Sequence, residues 1–465
     1  MIPRKGQSFW PTRIAWPRKA EDSAALIPAL VAGPVSAPGN VAYAGQSRFV
    51  LSPLSLSLDQ VLLLIVTALL AFGLVMVQSA DARVRGFNEN WFVQSFQTKN
   101  AIHAALALGA LVFFWRFDYR RFLGAPDRSW ALLKSPATWL LVLTVGCLVA
   151  VLVTPLGREI NGARRWLGLG PLGFQPSELA KIGLVLFVSA YAVHRADAIR
   201  SFFKGFVPLV AIFGITAVLV VKEDFGTTVL IASVVFVLMM MAGLRWWHLL
   251  LLLPPAAGAV YQMVFADPTS FRYRRFMAFL DPMHDPQGVG YHPLQSLLTI
   301  ASGGFWGRGL GNGIQKMGYL PEDNTDFIFA VICEELGFFG AATVIGLFIA
   351  LTLIGWRIMS RCHDPFGKMV AFGITAMIGL QACINVAVVT VTVPTKGIAL
   401  PFVSSGGTGW LLNAIAIGIL MSIERQNRRD AEHAEQTRAA LAPTRGFPIE
   451  LQPAPTPVIE PRTQP

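Results

Sequence analysis

The chain has 465 residues, 54% of them hydrophobic and only 14% charged, with a formal net charge of +11. Soluble domains carry about 25% charged residues, so the composition excludes an ordinary water-soluble enzyme, and equally a disordered, collagen-like or disulfide-stapled chain. Apolar stretches of about 20 residues recur, each long enough to cross a hydrocarbon core of about 30 Å, which predicts an all-α, polytopic integral membrane protein.

Residues 1–57 read as a disordered cytoplasmic tail rich in Pro, Ala, Ser and Gly. The apolar patch from Ala24 to Val35 is broken by Pro28 and Pro34 and is too short to span. Ala42-Tyr43-Ala44 resembles a signal-peptide cleavage site, the alternative reading of this region. About ten spans follow, at 58–79, 100–117, 137–156, 177–194, 206–222, 226–244, 247–265, 326–355, 367–392 and 407–424. They form one membrane domain, 58–424, and the polar, Pro-rich stretch 425–465 reads as a second disordered cytoplasmic tail.

Of the 38 Lys and Arg residues, 24 fall on the side of the termini and 13 on the other, so both termini are expected in the cytoplasm. The basic residues punctuate the gaps between spans, with no basic stripe interleaved with aromatics. They therefore argue for topology and anionic lipid and against a nucleic-acid partner. Cys147, Cys333, Cys362 and Cys383 match no metal spacing and read as small packing residues. One connection stands apart: 266–325, before the eighth span, is 60 residues long and outward-facing. Connections of that length carry function or are disordered.

The candidate chemistry gathers on the same outward side. In Asn161-Gly162-Ala163-Arg164-Arg165-Trp166, two arginines beside an indole can grip a phosphate or simply anchor the chain at headgroup level. The fourth span opens Gln175-Pro176-Ser177-Glu178-Leu179-Ala180-Lys181. Glu178 and Lys181 share one helical face, as a functional pair or as a structural ion pair. Asp224, in the turn Lys222-Glu223-Asp224-Phe225-Gly226, is a functional carboxylate or part of a solvated hairpin tip. Asp326, the last acid before the eighth apolar run, is a candidate general base or a dipole-favoured helix-start aspartate capped by Asn324 or Thr325. Deeper in that span, Glu334 and Glu335 require partners. Before the tenth span, the run from Pro394 to Gly407 is too rich in Pro and paired Gly for a regular helix. It must line a cavity or be covered by protein, and it carries Lys396, suited to an anionic group, and Ser404.

Taken together, Asn161 to Lys181, Asp281 to Gln295, Tyr319 to Gly337 and Pro394 to Gly407 resemble the SEDS family of peptidoglycan polymerases, across roughly residues 58–424. Within it, Pro394-Thr395-Lys396-Gly397 and Gln315-Lys316 are similar to the division branch rather than the elongation branch. The resemblance implies a multi-pass protein of the bacterial cell membrane whose extracytoplasmic face polymerises lipid II with inversion. The 4-hydroxyl of one sugar then attacks the anomeric carbon of another, held on undecaprenyl pyrophosphate. It assigns the base to Asp326. It implies substrate binding by Arg164, Arg165, Trp166, Glu178, Lys181, Asp224, Glu335, Lys396 and Ser404, with a divalent cation such as Mg or Mn as an optional helper. It also implies a class B penicillin-binding protein and other divisome proteins as partners. Two departures stand out: Ser405 where the family usually has Tyr, and Asn324 where it commonly has His. A lipid II flippase or a non-catalytic scaffold for a transpeptidase are the competing readings. A flippase should show internal repeats and broken mid-membrane helices, and no repeat is visible.

Overall fold

The computed structural model describes residues 56–81, 99–124, 131–160, 162–169, 172–221 and 223–441. Most of both expected tails, together with Asn161 and Lys222, lies outside them. The elements are α1 (Leu58–Asp81), α2 (Lys99–Arg116), α3 (Pro136–Val153), β1 (Gly157–Ile160), β2 (Ala163–Leu169), β3 (Leu172–Phe174), α4 (Pro176–His194), α5 (Val207–Val221, entered through a π-helical turn at Phe202–Phe206), α6 (Phe225–Met241), α7 (Leu253–Val264, after a short turn at Trp246–Leu250), α8 (Phe271–Leu280), α9 (Tyr291–Gly303), α10 (Ile328–Arg361), α11 (Pro365–Val389) and α12 (Gly407–Leu441).

Local chemistry starts these helices. Pro136, Pro176 and Pro365 occupy first-turn positions, where a missing N–H costs nothing. Asp224 caps α6 and Asp364 caps α11, each through its side chain. Among the described residues eight helices are long and apolar enough to cross a membrane, and the protein is multi-pass. Ten spans were expected. The other two fall on α6, only 17 residues long, and on α2, whose Lys99, Asn100, His103 and Arg116 dilute its hydropathy. At the centre stands α4, buried along nearly its whole length and packed against α3, α6 and α11. By contrast, α7 buries no residue and touches chiefly its neighbours in sequence.

Three features depart from the sequence reading. In a chain expected to be all-α, the connection 157–174 forms a three-stranded antiparallel sheet, ordered β1-β2-β3, with a bulge between Arg158 and Glu159. The long connection carries two helices, α8 and α9. Finally, helix continues past 424 to Leu441, where a disordered tail was expected. Its polar extension is pinned at the base of the bundle by Arg428 to Asp59 (3.3 Å) and Arg120 to Asp430 (2.6 Å).

Within α10, Gly337 takes a left-handed conformation (φ 63°) that breaks the helix. The connection threads into this kink: Arg308 and Gly309 donate their N–H groups to the carbonyls of Glu334 and Glu335 (both 2.9 Å). The loop is thereby welded to α10 just below the turn that carries Asp326.

Candidate active site

Asp326 lies ahead of the membrane-crossing helix, which starts only at Ile328, and no side chain caps that helix. The turn that presents it is built around Glu322, whose backbone is left-handed (φ 54°). The carbonyl of Glu322 accepts from the N–H groups of Thr325 (3.2 Å) and Phe327 (3.1 Å), and its carboxylate accepts from the Thr325 hydroxyl (2.7 Å). Asn324 ties the turn to the end of α1 through Asp81 (2.7 Å). Burial pushes the Asp326 carboxyl up to about 7, helped by the nearby acids Glu322 and Asp224 and opposed by Arg165 and Arg275. A carboxyl poised there is ionised often enough to accept a proton at neutral pH and basic enough to hold it.

Lys396 sits in the irregular segment between α11 and α12, with its Nζ 3.4 Å from the centroid of the Phe225 ring. Its ammonium is pushed down to about 8, first by burial and then by Arg272 and Arg275, with Asp224 opposing. Arg275, stacked 4.3 Å over Phe271, is likewise held below the usual guanidinium range by burial. The Nε of Arg165 is buried without a hydrogen-bond partner, a donor left for something the protein itself does not supply. Arg165, Arg272, Arg275 and Lys396 thus share one pocket of field with Asp224, Glu322 and Asp326. Asp224 has a second duty, accepting from the Thr227 N–H (3.0 Å) and hydroxyl (2.7 Å) as the cap of α6.

Other expected site residues are engaged elsewhere. Neighbours on a strand point to opposite faces. The Arg164 guanidinium accordingly turns back to the carbonyls of Thr154 (3.4 Å) and Gly157 (3.2 Å), while its N–H reaches Glu223 (2.9 Å). Trp166 packs its ring over Gly173. Glu178 and Lys181 do pair across one turn (2.8 Å), Lys181 buried and Glu178 partly so, and Lys181 also donates to Gln381 (2.7 Å). Glu335 is fully buried against Lys316 (2.6 Å), Ser79 (2.8 Å) and the Gly311 N–H (3.0 Å), which leaves it no part in binding a substrate. Ser404 is spent on the backbone, donating to the Thr325 carbonyl (2.6 Å) and accepting from the Leu400 N–H (2.7 Å).

The residues that sequence reasoning missed are Arg272 and Arg275, three apart on α8, together with His292, Gln381 and Asn385. The run Arg272-Tyr273-Arg274-Arg275 was the available signal, three cations close together in the long connection. Burial, then Arg275, pushes the His292 imidazole below its ordinary range, with Glu322 opposing. Among the described residues no group of three or more His, Cys, Asp or Glu side chains is arranged to hold a metal ion. The three carboxylates Asp224, Glu322 and Asp326 share their pocket with the cations Arg165, Arg272, Arg275 and Lys396, a balance that does not favour a resident divalent cation.

At Gly397 an added Cβ would sit 2.6 Å from the Asp326 carboxylate. Gly397→Ala is therefore expected to lower turnover about 10-fold or more, since displacements of about 1 Å carry such costs, while leaving the melting temperature within a few degrees. Unchanged turnover would show that this approach is not needed.

A family profile described as "Cell cycle protein" (FTSW_RODA_SPOVE) matches residues 59–429. The chain is 39% identical over 385 residues to a probable peptidoglycan glycosyltransferase FtsW from Nitrosomonas europaea, covering 81% of this chain and 95% of that one. It is 35% identical over 373 residues to the protein of the same description from Geobacter sp. strain M18, covering 80% and 97%. A solved structure on the coordination of polymerization and crosslinking by a peptidoglycan synthase complex is 27% identical, with a TM-score of 0.63 over 79% of this chain and 98% of that one. The rod shape determining protein RodA of Thermus thermophilus, 24% identical with a TM-score of 0.54 over 79% of this chain and 96% of that one, shares the fold.

Proposed function

The chain belongs to the FtsW/RodA/SpoVE family of cell cycle proteins, and from that membership we propose that it polymerises lipid II into glycan strands for the septal wall. Peptidoglycan glycosyl transfer is the activity for which its curated relatives are named. The observation that carries the reading is Asp326: a buried carboxyl poised near neutrality ahead of a membrane-crossing helix, with Arg165 and Arg275 among its neighbours.

In the proposed step the acceptor 4-hydroxyl approaches Asp326, which takes its proton as the oxygen attacks the anomeric carbon of the donor. The bond from that carbon to the pyrophosphate breaks, inverting the centre, and undecaprenyl pyrophosphate leaves. Arg165, Arg272, Arg275 and Lys396 meet the charge that develops on the leaving group, because preorganised cations in a water-poor site act most strongly there. Any divalent cation arrives with the pyrophosphate rather than on protein ligands. Glu178, Lys181 and Ser404 shape the site from behind. The active end faces outward, with both termini in the cytoplasm, as the bias of Lys and Arg supports. A class B penicillin-binding protein crosslinks the strands alongside, and other divisome proteins complete the assembly.

The test is strand synthesis by the purified protein from lipid II in detergent, with and without a class B penicillin-binding protein. A stable complex that makes no strands under either condition would move the assignment to a scaffold or flippase. The pH dependence gives a second check. The base must be deprotonated, so kcat/KM rises through about 7, and the cation must be protonated, so it falls again through about 8. The expected profile is a narrow bell between two apparent values belonging to the coupled site. A flat profile between pH 6 and 9 would remove both assignments.

A further inference from the structure

The segment between α11 and α12 has no regular secondary structure, so its buried backbone carbonyls need other partners. Two buried amides one turn apart on α11 supply them. The Nδ2 of Asn385 donates both to the carbonyl of Asp326 (2.9 Å) and to that of Ile398 (2.7 Å). The Nε2 of Gln381 donates to the next carbonyl along, Ala399 (2.8 Å), and its Oε1 accepts from Lys181 (2.7 Å), itself paired with Glu178 (2.8 Å). One rigid helix face therefore grips the backbone of the acid and the backbone two residues beyond the cation.

Just ahead of the gripped carbonyls of Ile398 and Ala399 come Lys396 and Gly397, the latter beside the Asp326 carboxylate. The backbone next to Lys396 thus reaches the acid, yet the Lys396 ammonium is turned away to the Phe225 ring. Among the described residues, the non-glycine residues with left-handed backbone are Glu322, Val391 and Phe402. They stand in the turn before Asp326 and near the two ends of the Lys396 segment. A β-branched residue such as Val391 takes that conformation only where the surroundings enforce it.

We propose that the Gln381–Asn385 amide pair is a positioning device. Working through the two backbones and touching no substrate, it fixes the Asp326 turn against the Lys396 segment, so that the two charges stay apart and do not neutralise each other. The proposal rests on the reading of Asp326 as base and Lys396 as cation. The groups facing the pair are Asp224 on α6, Arg272 and Arg275 on α8, Arg165 on β2 and Glu322 in the turn itself. If the grip is released, the two charges meet each other or water. Both events lower the affinity of Asp326 for its proton and raise that of Lys396.

The test uses the full chain and Asn385→Ala. Lys396 is titrated without substrate, by pH-dependent labelling with an amine-reactive reagent read by mass spectrometry. Fully buried Lys316 serves as the internal control for folding. The wild-type midpoint is expected near 8 and that of the variant about one unit higher or more, towards an ordinary lysine, with Lys316 still protected. With lipid II, kcat falls about 10-fold or more while KM moves little, and both limbs of the pH bell spread outward. An unmoved Lys396 midpoint with Lys316 protected overturns the proposal. Should the alanine variant expose Lys316, Asn385→Asp, which keeps the volume but loses the donor, is read in the same two ways. Absence of strands from the wild type would sink the enzymatic reading alone, because the labelling still decides the positioning.

Discussion

Asp326→Asn is expected to reduce strand synthesis by about 10²- to 10⁴-fold, the usual contribution of a positioned general base. The substitution is close to isosteric. It leaves intact the turn built on Glu322 and the Asn385 bond to the residue 326 carbonyl, both of which use backbone. The protein should therefore still fold and still bind a crosslinking partner. What it loses is the acceptor for the proton that the attacking hydroxyl sheds. It also loses a charge among Arg165, Arg272, Arg275 and Lys396, so binding of an anionic donor should tighten or hold while kcat collapses. That split is the informative part, since a merely damaged site would weaken both. Strand synthesis within about twofold of wild type would dismiss Asp326 as the base, and Glu322, on the same turn, would be tested next.

The largest effect on stability is expected away from the chemistry, at Lys316→Met. The Lys316 ammonium is fully buried and divides its donors among Glu335 (2.6 Å), the Ser79 hydroxyl (2.9 Å) and the Ser79 carbonyl (3.0 Å). Removing it strands the Glu335 carboxylate with two neutral donors, Ser79 and the Gly311 N–H. Breaking a buried pair from one side costs about 3–5 kcal/mol, because an uncompensated charge remains. The double variant Lys316→Met/Glu335→Gln removes that charge and should recover most of the loss, since the amide oxygen still accepts from Ser79 and Gly311. Thermal unfolding of the purified protein in detergent measures both. Equal destabilisation in the single and double variants would mean that packing, not charge, holds this joint. The network ties α1, the 303–318 loop and α10 together behind Asp326, so its failure should lower activity through the fold.

The membrane class and most of the helices were legible in the sequence because each is a local property. Hydropathy sums over about 20 neighbouring residues, and a proline or aspartate at a helix start acts within one turn. The four motif blocks led to the right family for a similar reason, since each is contiguous. Where locality failed, so did the reading. The run after Glu424 looks disordered by composition, yet Asp59 and the loop carrying Arg120 hold its first turns as helix. Arg164 and Arg165 are indistinguishable by type. Only the alternation of a strand, absent from an all-α expectation, sends one to the backbone and leaves the other with a buried, unpartnered Nε. Glu335 and Asp326 are both acids at the head of one apolar run. Lys316 arrives from a connection no pattern could place and neutralises the first, while the second is left among more distant cations. The sequence by itself determined the membrane class, the family and most of the apolar helices. The tertiary structure alone decided which charges are spent on one another and which remain for a substrate. A buried charge takes its character from partners hundreds of residues away, and no local pattern encodes those distances.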